Sequence, residues 1–278
     1  MITRRTGVWF KVFTAFWEMQ FNPFSRPAQG KHCFESGDFR QATARLKHLC
    51  DIKGIGLFTG NSGTGKTFTL KKFAEALNPG LFKLFYAPLS SVTVLEFYRA
   101  VAIGLGIAPS HKKIDLFNAI QDRIKSLARD KRVTPVIIFD EGQYLSAKIL
   151  NDLKIILNFD MDSNNHAVVI LAGLPALATT LSMGAHESLA QRIRINYAFT
   201  GLSKTEMTDY VVSKLKDCGA SPAIFADNAL EALWGCCAGS PRVVNSLAEN
   251  CLRIGAQKRL KVIDTETVML ANNEISFV

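Results

Sequence analysis

Gly60-Asn61-Ser62-Gly63-Thr64-Gly65-Lys66-Thr67 is the stretch on which the reading of this chain turns. It matches the pattern GxxxxGK[ST] in full. The residues before it, Lys53–Gly60 (KGIGLFTG), form a short apolar run that predicts a strand leading into the loop. The residues after it, Thr67–Leu77, put Leu70, Phe73, Ala74 and Leu77 on one helical face, and Pro79–Gly80 ends that helix. Strand, glycine-rich bend and helix are the context the motif requires. The glycines let the backbone curl so that successive N–H groups point inward at phosphate oxygens, and the following helix adds its positive N-terminal end. In such a loop Gly60, Asn61, Ser62, Gly63, Thr64 and Gly65 form the cradle. Lys66 reaches the β- and γ-phosphates of ATP as a point charge, and the Thr67 hydroxyl coordinates Mg²⁺.

Three further stretches carry chemistry. Val136–Phe139 is wholly apolar, which suits a central parallel strand buried on both faces, and it ends in Asp140-Glu141. Ligands bind at that edge of a parallel sheet. Asp140 can hold the Mg²⁺ shell, and Glu141 can orient and deprotonate an attacking water. Ala190-Gln191-Arg192-Ile193-Arg194 precedes a last strand expected around Ile195–Phe199. An arginine offered to a neighbouring subunit stabilises charge on a transferred phosphoryl group, with Arg192 the first candidate and Arg194 the second; the alternative is a solvated basic turn. In Gly239-Ser240-Pro241-Arg242, proline opens a helix and places Arg242 in its first turn, where a cation is poorly matched to the helix dipole. A γ-phosphate would supply the missing partner.

The remaining pattern predicts helices over Phe39–Leu49, Thr93–Leu105, Ile114–Ala128, Ala147–Leu157 and Pro175–Leu181, with strands over Leu81–Leu89 and Ala167–Leu171. The second of these strands is closed by Ala172-Gly173, and the first by Pro88 and Ser90–Ser91. After Gly201 no further strand is expected. Ser203–Leu215, Asp227–Cys237, Pro241–Gly255 and Thr265–Asn272 all read as helices, the first opened by the capping-box pair Ser203 and Glu206. The expected fold class is therefore α/β, a parallel sheet flanked by helices, followed by a small all-helical domain. The boundaries are an N-terminal aromatic and turn segment over 1–30 packed on the body, the α/β nucleotide-binding domain over 31–201, and the helical domain over 202–278.

Taken in this order, the Gly60–Thr67 loop, the Phe139-Asp140-Glu141 strand end, Arg192 and the Gly239–Arg242 stretch resemble the Walker A, Walker B, arginine-finger and sensor-2 elements of AAA+ ATPases of the P-loop NTPase class. Phe21-Asn22-Pro23-Phe24 and Asp140-Glu141-Gly142-Gln143, where relatives often read Asp-Glu-Ala-Gln, narrow the resemblance to the ExeA-type ATPases, a group close to the transposition regulators TnsC, MuB and IstB. The resemblance covers the chain from about Phe13 onward. It implies an ATP hydrolase with a helical lid, catalytic roles for Lys66, Glu141, Arg192 and Arg242, and assembly into rings or helical filaments. It also implies ATP-driven assembly on double-stranded DNA that recruits or activates a transposase. ExeA carries a membrane span and a peptidoglycan-binding part after its ATPase domain. This chain stops without either, so the transposition branch is the expected one, and a secretion-type assembly ATPase or a nucleotide-gated adaptor is the alternative. One departure is expected to matter: a polar sensor-1 residue belongs at the end of Ala167–Leu171, where Ala172-Gly173 stand. That predicts slow hydrolysis, stimulated by DNA or a partner.

Composition agrees with a globular, basic protein. Of 278 residues, 48% are hydrophobic and 21% charged, which excludes whole-chain disorder, and 33 Lys+Arg against 24 Asp+Glu leave a formal charge of +9. That sign fits a polyanion. Basic residues gather at Lys71–Lys72, at Lys112–Lys113, along Arg123, Lys125, Arg129, Lys131 and Arg132, and at Arg253, Lys258, Arg259 and Lys261. Lys112, Lys113, Arg123 and Arg129 are the candidate DNA contacts, since the family resemblance puts ring-inner surfaces near there. Such contacts would be to the phosphate backbone, nonspecific and salt-sensitive. The six cysteines show no CxxC pair and read as reduced thiols of a cytoplasmic protein. The stretch Trp9, Phe10, Phe13, Phe16, Trp17 is interrupted by Lys11 and followed by no small-residue cleavage site, so it reads as an amphipathic segment, with no stable membrane insertion expected.

Overall fold

Strand alternation divides the apolar residues of the central strands between the two faces of one sheet. The computed structural model describes residues 13–25, 33–87, 93–159 and 165–275. Its strands are β1 (Gly54–Gly60), β2 (Phe82–Ala87), β3 (Thr134–Phe139), β4 (Val168–Gly173) and β5 (Ile193–Phe199). They form a parallel five-stranded sheet in the order β2-β3-β4-β1-β5. Helices α1 (Gly37–Ile52), α2 (Lys66–Ala76), α3 (Val94–Gly104), α4 (Lys113–Arg129), α5 (Ala147–Ile156), α6 (Pro175–Leu181) and the short α7 (Glu187–Ala190) accompany the strands. The chain then continues as α8 (Lys204–Asp217), α9 (Asp227–Cys237), α10 (Pro241–Gln257) and α11 (Thr265–Ile275). The parallel sheet flanked by helices and the C-terminal helices expected from the sequence are both present.

Contacts divide the chain into two units, Phe39–Ser62 with Lys66–Phe199, and Met1–Asp38 with Gly63–Gly65 and Thr200–Val278. In the first unit, Val136, Ile138, Val168 and Ile170 face Ala42, Leu46 and Leu49 of α1 and Leu70 and Phe73 of α2. Their strand neighbours Ile137, Phe139, Val169 and Leu171 face the other way, onto Phe97 and Tyr98 of α3, Leu116, Ile120 and Ile124 of α4, and Ile149 and Leu153 of α5. This is the period of two that a strand imposes. Each large side chain so buried stabilises the fold by about 1.5–3 kcal/mol. β1 and β4 are buried along their whole length, whereas the edge strands β2 and β5 are only partly buried.

β5 starts at Ile193, two residues before the Ile195 expected from the sequence, so Arg194 lies inside the strand instead of ahead of it. The reason is a bulge. Ile55 pairs with Ile193 and Gly56 with Ile195, which leaves Arg194 as the extra residue and breaks the simple alternation.

The second unit has its own core, including Met207, Val211 and Leu215 of α8, Leu233 of α9, Val244, Leu247 and Cys251 of α10, and Val268 of α11. Ser203 and Glu206 form the capping box that opens α8. Phe13, Trp17, Met19 and Phe24 are buried in this same helical core. The Trp17 indole N–H donates to the Leu252 carbonyl at 2.8 Å, and the Asn22 amide donates to Glu249 Oε1 at 2.8 Å. Trp9 and Phe10, and the Pro88 and Ser90–Ser91 end of the second strand, lie outside the described residues. All six cysteines are free thiols, and burial pushes Cys50 up to about 11 and Cys251 up to about 12. Among the described residues no helix is long and apolar enough to cross a membrane.

Candidate active site

The site is built where β1 and β3 end at the same edge of the sheet. β1 stops at Gly60, the chain bends through Asn61–Gly65, and α2 begins at Lys66. Gly63 and Gly65 hold φ of +83° and +101°, a left-handed conformation that favours glycine. Lys66 is 8% exposed, and its ammonium donates to the carbonyls of Gly60 at 2.7 Å and Asn61 at 2.9 Å. These bonds hold the positive charge against the loop, where a phosphate would balance it.

Thr67 opens α2 and Asp140 follows β3, 73 positions later. The Thr67 hydroxyl nevertheless donates to Asp140 Oδ2 at 2.9 Å. Two adjacent oxygens of an octahedral Mg²⁺ shell, each about 2.0–2.1 Å from the ion, stand about 3 Å apart. A hydroxyl and a carboxylate at this spacing therefore fit that ion. Asp140 is only 3% exposed, and its other oxygen accepts the Glu141 N–H at 2.9 Å.

Tyr86, next to last in β2, also donates to Asp140 Oδ2, at 2.9 Å. Burial first, then the hydrogen bond and charge of Asp140 and the charge of Glu141, push the Tyr86 phenol up to about 12. It therefore stays a donor at neutral pH. No motif names Tyr86. Its one sequence clue is its place at the carboxyl end of a parallel strand, the edge where ligands bind.

Glu141 is exposed, with φ of +55°, and its carboxylate accepts a hydrogen bond from the Gln143 side chain at 2.6 Å. β4 runs on to Gly173, past the Leu171 expected from the sequence, and Ala172-Gly173 bring no polar side chain to its end. Lys66, Thr67, Asp140 and Glu141 thus stand at one sheet edge. Arg192 does not. Its guanidinium donates to the Lys154 carbonyl at 2.8 Å. With Arg194, His166, Gly54 and Ile55 it lines a pocket of about 450 Å³ at the opposite end of β1. Seven residues of strand at about 3.3 Å each put roughly 20 Å between that pocket and Gly60.

Arg242 lies in the first turn of α10, and its N–H donates to the Gly63 carbonyl at 3.4 Å, both residues belonging to the second unit. A Cβ on Gly63 would come within 2.6 Å of Ser240 Oγ and 2.8 Å of Arg242 Cβ, so this position has room only for glycine.

Most of the basic residues singled out for DNA are engaged within the fold. Lys113 donates to both Asp152 oxygens at 2.8 Å and lies 5.2 Å from the centre of the Tyr98 ring. Arg123 donates to the Leu105 carbonyl at 3.2 Å, and Arg129 stands 3.4 Å from His166. Lys112 is exposed at the N-cap of α4, with no side-chain cap bond. Elsewhere Lys72 pairs with Glu75, Arg253 with Glu274 and Lys258 with Glu266.

Residues 50–181 match the family model described as AAA domain. The chain is 29% identical over 270 residues to General secretion pathway protein A of Aeromonas hydrophila, which covers 95% of this chain and 49% of that protein. It thus spans about half the length of the curated relative it matches. Among solved structures, Cdc6p of Pyrobaculum aerophilum superposes with a TM-score of 0.67 at 16% identity, covering 92% of this chain and 71% of that one. The Drosophila ORC bound to DNA gives 0.66 at 18% identity over 96% and 66%. The RuvB branch migration motor of Thermotoga maritima gives 0.55 at 15% identity over 91% and 72%. With its glycine-rich loop, parallel sheet and C-terminal helices, the chain has the fold of the P-loop AAA+ proteins, and its residues 50–181 are similar to an AAA domain.

Proposed function

We propose that this chain binds ATP with Mg²⁺ and hydrolyses it as part of an oligomeric assembly ATPase. The observation that carries the reading is the meeting of Thr67 and Asp140 at 2.9 Å beside the Gly60–Lys66 loop. The loop amides and Lys66 bind the phosphates, and Thr67 and Asp140 hold Mg²⁺. Mg²⁺, when bound, neutralises charge on the β- and γ-phosphates. Glu141 orients a water and accepts its proton. As the water oxygen bonds to the γ-phosphorus, the bond to the β–γ bridging oxygen breaks and ADP leaves.

Because Arg192 is displaced from its own chain's loop by the length of β1, we assign it to a neighbouring copy's γ-phosphate. Arg192→Ala is expected to keep ATP affinity within a few-fold while turnover falls by about 10³-fold or more, the usual weight of such an arginine. Mixed with Lys66→Ala protein, it should regain activity, because mixed interfaces pair an intact loop with an intact arginine. Normal turnover by Arg192→Ala in a phosphate-release assay would remove the assignment. Arg242 is proposed to sense the γ-phosphate from α10.

The relative over 95% of the chain supports a secretion-type assembly role better than transposition regulation. The net charge of +9 favours a second reading, DNA-dependent assembly, in which a transposase would be the partner and Lys112 the freest of the proposed contacts. The two separate in one experiment. Under the first, ATP drives oligomer formation and is turned over without DNA, and duplex DNA changes neither. Under the second, duplex DNA stimulates turnover and its affinity falls by about 10³-fold or more between roughly 50 and 200 mM salt. A protein that neither assembles with ATP nor turns it over sinks both.

A further inference from the structure

The Glu141 carboxylate stands on a two-residue spur, exposed, at the end of β3. A flexible acid in that place loses entropy each time it takes up a working orientation. The structure shows what restrains it. Gln143 Nε2 donates to Glu141 Oε2 at 2.6 Å, and Gln143 Oε1 accepts the Leu174 N–H at 3.0 Å. The carboxamide is thereby fixed at both ends. Turned over, it would set its NH₂ against an N–H and its oxygen against a carboxylate, losing both bonds. The anchor is main chain, immediately after β4, so it cannot swing away as a side chain would.

The surrounding glycines make room for this bridge. A Cβ on Gly173 would come within 2.6 Å of Gln143 Oε1 and 3.1 Å of Leu177. A Cβ on Gly142 would meet Leu177 at 2.9 Å and the Ala172 carbonyl at 3.1 Å. Between them the short turn Gly142–Tyr144 closes through the Tyr144 N–H to the Glu141 carbonyl at 3.0 Å. The ends of β3 and β4 are thus close enough for one glutamine to span, at a place where β4 ends in Ala172-Gly173 and offers no polar side chain.

We propose that Gln143 is a positioning residue for hydrolysis: it ties the Glu141 carboxylate to the Leu174 amide and leaves Oε1 of Glu141 directed to the water. This rests on Glu141 being the base of the function proposed above. The bridge does from the β3 side what a polar side chain at the end of β4 would otherwise do. Because the anchor follows β4 directly, a shift of that strand end is passed on to the base.

The experiment compares wild type with Gln143→Leu, Gln143→Glu and Gly173→Ala. Leucine removes both bonds. Glutamate keeps an acceptor for Leu174 but sets a second carboxylate against Glu141. The alanine displaces the Gln143 oxygen while Gln143 and Glu141 themselves stay unsubstituted. All are expected to bind ATP within about twofold of wild type, with turnover at saturating MgATP reduced roughly tenfold to a hundredfold, the scale of losing a partner that orients a reacting group. A purely structural role would move thermal stability and ATP affinity and leave turnover per bound ATP alone. Unchanged or raised turnover overturns the proposal.

A readout independent of turnover separates failure of the bridge from failure of the function. In ¹⁵N-labelled protein without nucleotide, the Gln143 side-chain NH₂ should give two well-separated proton resonances that collapse toward ordinary glutamine positions in Glu141→Ala. If wild type hydrolyses no ATP but this collapse is seen, the bridge stands and the base assignment falls. If the resonances ignore Glu141→Ala, the bridge itself is refuted.

Discussion

Lys66→Ala is expected to weaken ATP binding by about a hundredfold to a thousandfold, enough to erase the calorimetric signal at ordinary protein concentrations. The magnitude follows from where the charge sits. The side chain is 8% exposed and tethered by the Gly60 and Asn61 carbonyls, so it meets a phosphate with little reorientation and little competing water. Removing one partner from a desolvated charge pair costs about 3–5 kcal/mol, and each 1.4 kcal/mol is about tenfold in affinity. Alanine is a good residue for the first turn of α2, and the loop's glycines keep their conformation, so circular dichroism should show an unchanged fold. The measurement is titration calorimetry with MgATP. Binding of wild-type strength in the variant would mean that the loop amides alone hold the nucleotide.

Glu141→Gln should do the opposite, keeping ATP bound while turnover falls by about 10²–10⁴-fold, the range for losing a general base. Glutamine has the same length and still meets Gln143 through a hydrogen bond, but its amide cannot accept the water's proton. The left-handed backbone at this position, φ +55°, is no worse for glutamine than for glutamate, so the loss should not reflect misfolding. Phosphate release together with binding of a fluorescent ATP analogue checks both halves. Full turnover by the variant would take the base role away from Glu141, whereas loss of binding would mean that the carboxylate supports the Mg²⁺ site instead.

The elements that follow from local chemistry were legible in the sequence. Pro175–Leu181 and Asp227–Cys237 have the bounds their proline, aspartate and apolar spacing predict, and the Ser203–Glu206 pair caps α8. The apolar runs of β1, β3 and β4 read as buried parallel strands because both of their faces are covered. The loop motif names Lys66 and Thr67 because main-chain curvature and phosphate binding force glycine, lysine and threonine into fixed places. What depends on tertiary neighbours was not legible. Arg194 falls inside β5 because of a bulge against β1, which no spacing in the last strand announces. Tyr86 meets Asp140 only because β2 and β3 are paired neighbours. Gln143 is visible in the sequence as part of Asp140-Glu141-Gly142-Gln143, but its bond to the Leu174 amide requires knowing that β3 and β4 lie side by side. For the same reason Lys113 and Arg123 read as free cations in the sequence, although each has a partner in the fold.

Trp17 and its carbonyl partner on Leu252 are 235 positions apart. On a ribosome adding about 5–20 residues per second, on the order of 10–50 s pass between the emergence of Trp17 and that of Leu252. Throughout that interval Phe13, Trp17 and Phe24 have no finished core to enter, while the strands and helices of the intervening α/β unit emerge in full. The nascent chain therefore presents these aromatic residues long before the helices that bury them are complete, so the helical unit is the part of the molecule most dependent on uninterrupted synthesis.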